Sequence, residues 1–164
     1  MTRLRHPGGL ARAALRAPAA LYRWRLGWLL GARFLALEHR GRRSGAIHRT
    51  VLEVIGRDRE RDAWRVVSAW GPRADWYSNV RAHPHVRVTV GRRTFAATAR
   101  ALPPEASEAA LREYGRRHRL AASMLRRLFG YASWDDLARA LPVVEFMAEA
   151  VRGATTAHED AQRV

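Results

Sequence analysis

The residues best suited to chemistry lie in the middle of the chain, within residues 38–91. Gly41–Gly45 reads Gly-Arg-Arg-Ser-Gly, a turn that offers guanidinium groups, a hydroxyl and backbone N–H groups to a phosphate or carboxylate. Asp75–Asn79 adds an indole, a phenol and an amide, and Ser68 ends a hydrophobic stretch between the two segments. Their order predicts a site for a ligand with a flat ring at one end and an anionic tail at the other.

Each of these segments also has a plainer interpretation. Gly41–Gly45 can be a hairpin turn with exposed arginines, Ser68 can simply end a strand, and Trp76 can be a core residue, which is the commoner role of an indole. Arg49 can add a charge to the site or point to solvent. Neither the His83-Pro84-His85 pair nor any serine has the spacing of a metal site or a nucleophile elbow.

Short strands and peripheral helices are predicted to position these residues. Alternating apolar residues and turn signals predict strands at Phe34–Arg40, Ile47–Ile55, Ala63–Trp70, His85–Val90, Thr94–Ala101 and Val143–Met147. Helices are predicted from Asp75, as the capping residue, to Ala82, from Pro104 toward His118, over Leu120–Leu128, and after a capping box at Ser133 and Asp136. Six or seven short strands with flanking helices favour a small barrel or closed sheet, a mainly β (α+β) fold.

The chain divides into one domain and two flanking segments. The barrel is expected over residues 33–150, with a helical insertion at 103–141 and a flexible tail at 151–164. Residues 1–32 mix arginine with tryptophan and leucine, which suits either a helix packed on the barrel or one lying on an anionic membrane surface. The uncharged run at 26–32 is too short to span a bilayer.

The composition constrains the partners. A net charge of +15 points to polyanions such as nucleic acid, an anionic membrane surface or an acidic small molecule. All of the basic residues other than histidine are arginines, and they are spread along the chain, so a nucleic-acid or membrane-surface binder without enzymatic activity is the weaker alternative. The absence of cysteine excludes disulfides and thiolate catalysis.

Read in order, several motifs resemble the deazaflavin-dependent nitroreductase family. They are Gly-Arg-Arg-Ser-Gly at 41–45, Thr-Val-Leu at 50–52, Val-Val-Ser at 66–68, Asp-Trp-Tyr-Ser-Asn-Val-Arg-Ala-His-Pro at 75–84 and Val-Arg-Val-Thr-Val-Gly at 86–91. The resemblance covers about residues 35 to 100, with the closing strand near Val143. It implies a split β-barrel with flanking N- and C-terminal helices.

The resemblance also implies a cofactor and the residues that hold it. The cofactor is coenzyme F420, an 8-hydroxy-5-deazaflavin with a phospholactyl and oligoglutamate tail, and FMN is the runner-up. The implied cofactor-binding residues are Arg42, Arg43, Ser44, Gly45, His48, Arg49, Thr50, Val51, Leu52, Val66, Val67, Ser68, Ala69, Asp75, Trp76, Tyr77, Ser78 and Asn79. Tyr131 or Trp134 is implied on the substrate side, and no catalytic residue or metal is assigned.

The implied activity is hydride transfer from reduced F420 to an enone, quinone or nitro compound. The enzyme is expected in the cytoplasm as a monomer or homodimer, with peripheral membrane contact through its N-terminal helix. Related split barrels that bind FMN or haem are the alternative within redox proteins. The chain departs from the family pattern at Val51, which replaces a proline, at Glu53, and at Ala69 and Trp70.

Overall fold

A computed structural model describes residues 32–149 and forms a small antiparallel barrel. Within this range the strands close in the order β1-β2-β3-β6-β5-β4. Their bounds are Phe34–Arg40 (β1), Ile47–Asp58 (β2), Ala63–Val67 (β3), His85–Val90 (β4), Arg93–Ala101 (β5) and Val143–Ala148 (β6). This confirms the predicted α+β barrel.

The apolar side chains that alternate along the strands fill the interior of the barrel. Leu35 and Leu37 of β1 and Val86, Val88 and Val90 of β4 are buried, while the residues between them are more exposed. They pack with Phe146 of β6 and with side chains of the helix that follows β3, so one continuous apolar core lies inside the barrel.

Four helices lie outside the strands in residues 32–149. α1 (Asp75–Ala82) follows β3 after a short 3-10 turn at Gly71–Arg73, and α2 (Pro104–Arg117), α3 (Arg119–Phe129) and α4 (Trp134–Ala140) lie between β5 and β6. The last three fall inside the predicted insertion at 103–141. None of the described helices is long and apolar enough to cross a bilayer.

α2, α3 and α4 form a helical cap on the outside of the barrel. Leu111 and Tyr114 of α2 and Leu137 of α4 pack with Ile55 and Val143, so the outer face of β2 and β6 is buried in a second apolar core. Alternate residues of a strand point to opposite faces. A strand can therefore contribute to both cores, as β6 does with Phe146 inside and Val143 outside.

β2 has an open edge, because it diverges from β3. All of Ile47–Glu53 pairs with β1, but pairing with β3 begins only at Val54, opposite Val66. Among the described residues, no strand occupies the β3-facing side of β2 from Ile47 to Glu53. In an antiparallel strand about half of the N–H and C=O groups face each neighbour, so this edge offers backbone donors and acceptors to a ligand.

Most predicted elements are confirmed, and a few boundaries were wrong. β3 ends at Val67 and not at Trp70, because the backbone turns at Ser68 to meet Gly71. Ala74 precedes the first turn of α1, so Asp75 is its first residue and not its cap. The Ser133 cap is confirmed, since its hydroxyl accepts from Asp136 N–H at 3.0 Å. Apart from residue 32, the segment predicted at 1–32 lies outside the described residues, as does the tail predicted at 151–164.

Candidate functional site

The turn Gly41–Gly45 joins β1 to β2 and projects beyond the end of the open edge. Gly41 N–H donates to Ala46 C=O at 2.8 Å, and Gly45 N–H donates to Gly41 C=O at 2.9 Å. Gly45 has φ +69°, a left-handed conformation that glycine adopts without strain. A Cβ on Gly41 would lie 2.8 Å from Ser44 Oγ and 2.9 Å from His48 Nε2. The shape of the turn therefore requires glycine at position 45, and a Cβ at position 41 would displace the side chains of Ser44 and His48.

A buried polar network anchors this turn to α1 and β1. Asn79 Oδ1 accepts from Arg42 N–H and from Arg42 Nη1, both at 3.0 Å. On its other side Asn79 Nδ2 lies 3.2 Å from Nδ1 of His39. Asn79 is 5% exposed and His39 4%. The turn is therefore fixed by side-chain hydrogen bonds inside the protein, and solvent does not replace them.

His39 and His48 face each other across the β1–β2 pair. They are register partners, and their rings stack with centroids 5.7 Å apart. Burial and the neighbouring His48 lower the pKa of His39 below its ordinary value of 6.5, although Asp75 acts in the opposite direction. His39 is therefore neutral at neutral pH, and its Nδ1 can accept a hydrogen bond from Asn79.

The cations around the turn divide into engaged and available groups. Arg42 Nη1 also contacts Asp75 at 3.1 Å, and Arg49 pairs with Glu38 at 2.9 Å. Arg43 has no ion-pair partner within residues 32–149. In the same range the N–H groups of Arg43 and Ser44 have no hydrogen-bond partner. Two adjacent free N–H groups beside an available guanidinium can bind an anion.

Several of the predicted ring-binding residues are buried. Ser68 is completely buried, and its hydroxyl donates to Gly71 C=O at 2.7 Å. Val66 lies in the barrel core, and Val67 packs in the second core. Ala69 borders an apolar cavity of about 10 Å³ beneath the helical cap, too small for a ring. These side chains pack inside the protein at the end of β3, and none of them lines an open pocket.

The aromatic residues of α1 are also core residues. Trp76 and Tyr77 are buried and pack edge to face, with ring centroids 6.1 Å apart. Ser78 is partly exposed, and its N–H donates to Ala74 C=O at 3.1 Å. The plainer interpretation of Trp76 as a core residue therefore describes its place in the structure. Two of the predicted residues of this helix, Asn79 and Asp75, contact the turn, and both do so by accepting hydrogen bonds from Arg42.

The structure brings the remaining predicted residues to the open edge. Thr50, Val51 and Leu52 are half-buried on β2, while His48 and Arg49 are exposed closer to the turn. Leu52 reaches the barrel core from this strand. The turn and the open edge therefore form one continuous surface, cationic at Arg43 and more apolar toward Leu52.

Tyr114 closes the far end of the open edge. Its hydroxyl donates to Glu53 Oε1 at 2.9 Å, and Arg33 contacts the same oxygen at 3.3 Å. Burial and then the Glu53 charge raise the pKa of Tyr114 well above its ordinary value. The phenol therefore keeps its proton at all physiological pH values.

The predicted substrate residues belong to the helical cap. Tyr131 is half-buried against the second core, and burial raises the pKa of its phenol. Trp134 donates from Nε1 to Leu111 C=O at 3.1 Å. An open groove of about 670 Å³ lies on the other side of Trp134, between α2, α3 and α4, and it is lined by polar residues including Arg112, Arg116, Arg119 and Arg126. This groove is separate from the turn and the open edge.

His39 and Tyr114 contact this candidate site in the structure but were not among the predicted site residues. A signal for His39 was present, because His39 and His48 flank the predicted β1–β2 turn at nearly equal distances from it. No comparable signal existed for Tyr114, since its contact with Glu53 joins residues 61 positions apart.

A family comparison identifies the cofactor of the protein. The sequence profile of the F420H(2)-dependent quinone reductases matches residues 15–144. The chain belongs to the F420H(2)-dependent quinone reductase family. This reductase therefore depends on coenzyme F420, which confirms the resemblance to F420-dependent enzymes and favours F420 over FMN.

Solved structures share the fold of this reductase at low sequence identity. An F420-H2 dependent reductase, FDR-A, is 21% identical with a TM-score of 0.50, over 70% of this chain and 93% of that one. A structure described as a domain-swapped dimer is 19% identical with a TM-score of 0.50, over 79% and 99%. The haem storage protein HutZ from Vibrio cholerae is 14% identical with a TM-score of 0.52, over 79% and 91%. No curated protein matches this reductase significantly.

Proposed function

We propose that the turn Gly41–Gly45 binds the acidic tail of F420 and that the open edge of β2 receives the ring. The observation that carries the proposal is a pair of N–H groups beside Arg43, at the end of a strand edge, all of which lack a partner within residues 32–149. The bound deazaflavin supplies the hydride chemistry. The acceptor is a quinone, an enone or a nitro compound, and the quinone is favoured by the description of the family.

The donor set of the turn fits a phosphate or carboxylate tail. Arg43 and the backbone N–H groups of Arg43 and Ser44 supply hydrogen bonds without first breaking any bond within residues 32–149. Arg42 is held by Asn79 and Asp75, so it orients the turn and adds positive charge. The exposed carboxylate of Asp75 weakens the site for an anion, and Arg42 compensates for it at 3.1 Å.

The open edge fits the polar rim of a heterocyclic ring. Backbone N–H and C=O groups of Ile47–Glu53 that face the gap can pair with an amide-like ring edge as they would pair with a strand. Thr50, Val51 and Leu52 border the gap. The end of β3 lies beneath the gap and is supported by Val66, Val67, Ser68 and Ala69. Ser68 makes no direct polar contact with the ring, because its hydroxyl already donates to Gly71 C=O.

The helical cap would supply the acceptor side of the site. Tyr131 and Trp134 lie on this cap and are the aromatic residues proposed to meet the acceptor. Tyr114 holds a proton at Oη, next to Glu53, at the end of the open edge. The surrounding second core is apolar, so water is excluded where the cap covers the strands.

We also propose a cytoplasmic enzyme that touches an anionic membrane surface. The support is the mixture of arginine, tryptophan and leucine in residues 12–33. Within the described residues, α3 exposes Leu120 (84%) and Met124 (73%) next to arginines, a second surface of similar character. Vesicle binding by substituted proteins distinguishes a contact through residues 12–33 from one through α3.

A fluorescence titration with F420 tests the site. Saturable quenching with an affinity of roughly micromolar order is expected for the wild type. Arg43→Ala should weaken F420 binding about fivefold, which corresponds to one exposed charged contact. It should leave unchanged the binding of a deazaflavin riboside that lacks the phosphate and glutamates.

Arg59→Ala is the matched control for this substitution. Arg59 is an exposed arginine in the β2–β3 turn, at the opposite end of β2 from Gly41–Gly45. The Arg59→Ala substitution removes the same charge as Arg43→Ala at a position outside the proposed site. Equal losses in Arg43→Ala and Arg59→Ala, or an equal loss for the tail-less riboside, would contradict the assignment of the turn to the tail.

A further inference from the structure

We infer that His39 is a positioning residue for the tail site: its unprotonated Nδ1 fixes the amide of Asn79, which in turn holds Arg42 and the turn Gly41–Gly45. The inference rests on the proposed function, because it takes that turn to be the site of the F420 tail. It predicts that binding of the tail weakens in acid, as His39 becomes protonated.

His39, Asn79 and Arg42 form a continuous chain of hydrogen bonds. His39 Nδ1 lies 3.2 Å from Asn79 Nδ2, and Asn79 Oδ1 lies 3.0 Å from both the backbone N and Nη1 of Arg42. His39 and Asn79 are both buried, so solvent does not substitute for a lost partner. Arg42 precedes the residues whose N–H groups are free to bind an anion.

The donors and acceptors allow only one arrangement of the Asn79 amide. Arg42 presents two donors, so the atom of Asn79 that faces it must be the carbonyl oxygen. The NH2 group of Asn79 then faces His39, and Nδ1 of His39 must carry a lone pair. If His39 is protonated, two donors face each other there. Rotating the amide by half a turn moves the same conflict to Arg42, so protonation removes hydrogen bonds in either orientation.

The surroundings of His39 keep it neutral until the pH is acidic. His48 on β2 stacks on the ring, Arg42 lies beyond Asn79, and Asp75 on α1 is the nearby acid in residues 32–149 that favours protonation. Burial and His48 outweigh Asp75, so the pKa is lowered from 6.5. The affinity for the tail should therefore be at its maximum above pH 6.5. It should decline as the pH falls below that value and through the lowered pKa of His39.

The experiment compares F420 affinity across pH in three proteins. In the wild type, affinity should fall about three- to tenfold between neutral pH and roughly pH 5, the loss expected for one or two hydrogen bonds. His39→Phe keeps the ring volume but has no acceptor, so it should show the weaker affinity at every pH. His39→Asn puts an amide oxygen near the position of Nδ1, and it should restore tight binding with a flatter pH profile.

Three further measurements make the test specific. His85→Asn changes an exposed histidine outside the site and should keep the wild-type pH profile. The tail-less deazaflavin riboside should bind wild type and His39→Phe alike. ¹⁵N NMR of the His39 imidazole in the protein without cofactor should report an unprotonated Nδ1 at neutral pH, whether or not F420 binds.

The outcomes separate this inference from the proposed function. If the folded wild type binds F420 at no pH, the proposed site is wrong. If the wild type binds F420 and His39→Phe has the same affinity and pH profile, His39 is not a positioning residue. A protonated Nδ1 at neutral pH, or an equal loss of the tail-less riboside, would also overturn the inference.

Discussion

At the scale of single residues, the polar groups nearest the open edge are bonded to one another. Tyr114, Glu53 and Arg33 form one such chain, which ties α2 to β2. Tyr114→Phe should lower the free energy of unfolding by about 1 kcal/mol near neutral pH, since it removes one partly buried hydrogen bond. Urea unfolding of the two proteins measures this difference.

The same tyrosine gives that difference a pH dependence. The pKa of Tyr114 is raised in the folded protein, so above the ordinary value of 10.0 the folded state binds more protons than the unfolded state. The stabilisation is therefore complete below pH 10.0 and is lost as the pH rises above it. The gap between wild type and Tyr114→Phe should shrink there, and a gap that is constant with pH would refute the linkage.

Sequence alone located the turn but not the partners of its residues. Gly41–Gly45 stood out because its residue types and spacing are local. The hydroxyl of Ser68, by contrast, turned inward to Gly71, and Trp76 and Tyr77 entered the core. Those outcomes depend on how the chain packs in three dimensions, which the order of residue types does not encode locally.

At the scale of elements, the close approach of α2 and α4 depends on one glycine. A Cβ on Gly115 would lie 2.2 Å from Nε1 and 2.6 Å from Cε2 of Trp134, inside the van der Waals distance. Gly115→Ala should therefore destabilise the protein by about 2 kcal/mol or more, because the indole that bonds to Leu111 must move. Thermal unfolding followed by circular dichroism measures the loss.

Gly56→Ala provides the matched control for this packing prediction. A Cβ on Gly56 meets only Arg65 carbons at 3.8 Å, an ordinary contact distance. The substitution also lowers the conformational entropy of the unfolded chain, so its effect should be close to neutral. Similar losses in Gly56→Ala and Gly115→Ala would show that the helix contact is not the cause.

Element positions were more predictable than their ends. The strands and helices carried clear periodic patterns, and His85–Val90 and Phe34–Arg40 were predicted to the residue. β3 was predicted too long because Ser68, Ala69 and Trp70 continue its apolar pattern. The open edge of β2 could not be predicted at all, since it arises because β2 and β3 are apart before Val54, where their pairing begins.

At the scale of the whole molecule, the charge of +15 acts together with exposed apolar groups. The full chain should bind vesicles that contain phosphatidylglycerol and should not bind vesicles of phosphatidylcholine alone, and salt should weaken the binding. If residues 1–32 make the contact, Trp24→Ser with Trp28→Ser should weaken binding roughly tenfold. Cosedimentation with vesicles measures both effects.

Substitutions on α3 are the control for that membrane contact. Leu120→Ser with Met124→Ser removes the two most exposed large apolar side chains of the described structure and should leave vesicle binding unchanged. If these changes abolish binding while the tryptophan changes do not, the contact lies on α3 instead. Binding to duplex DNA with equal strength and salt dependence would indicate a general response to polyanions.

β1 reaches beyond the rim of the barrel, since its pairing with β4 stops at Glu38 while its pairing with β2 continues to Arg40. The two residues past the rim connect the barrel directly to the proposed tail site. A coenzyme bound there would stabilise the folded state. It would raise the free energy of unfolding by about 2.7 kcal/mol when present at a hundred times its dissociation constant. The cellular supply of the coenzyme would then govern how long each enzyme molecule survives proteolysis, as well as how fast it works.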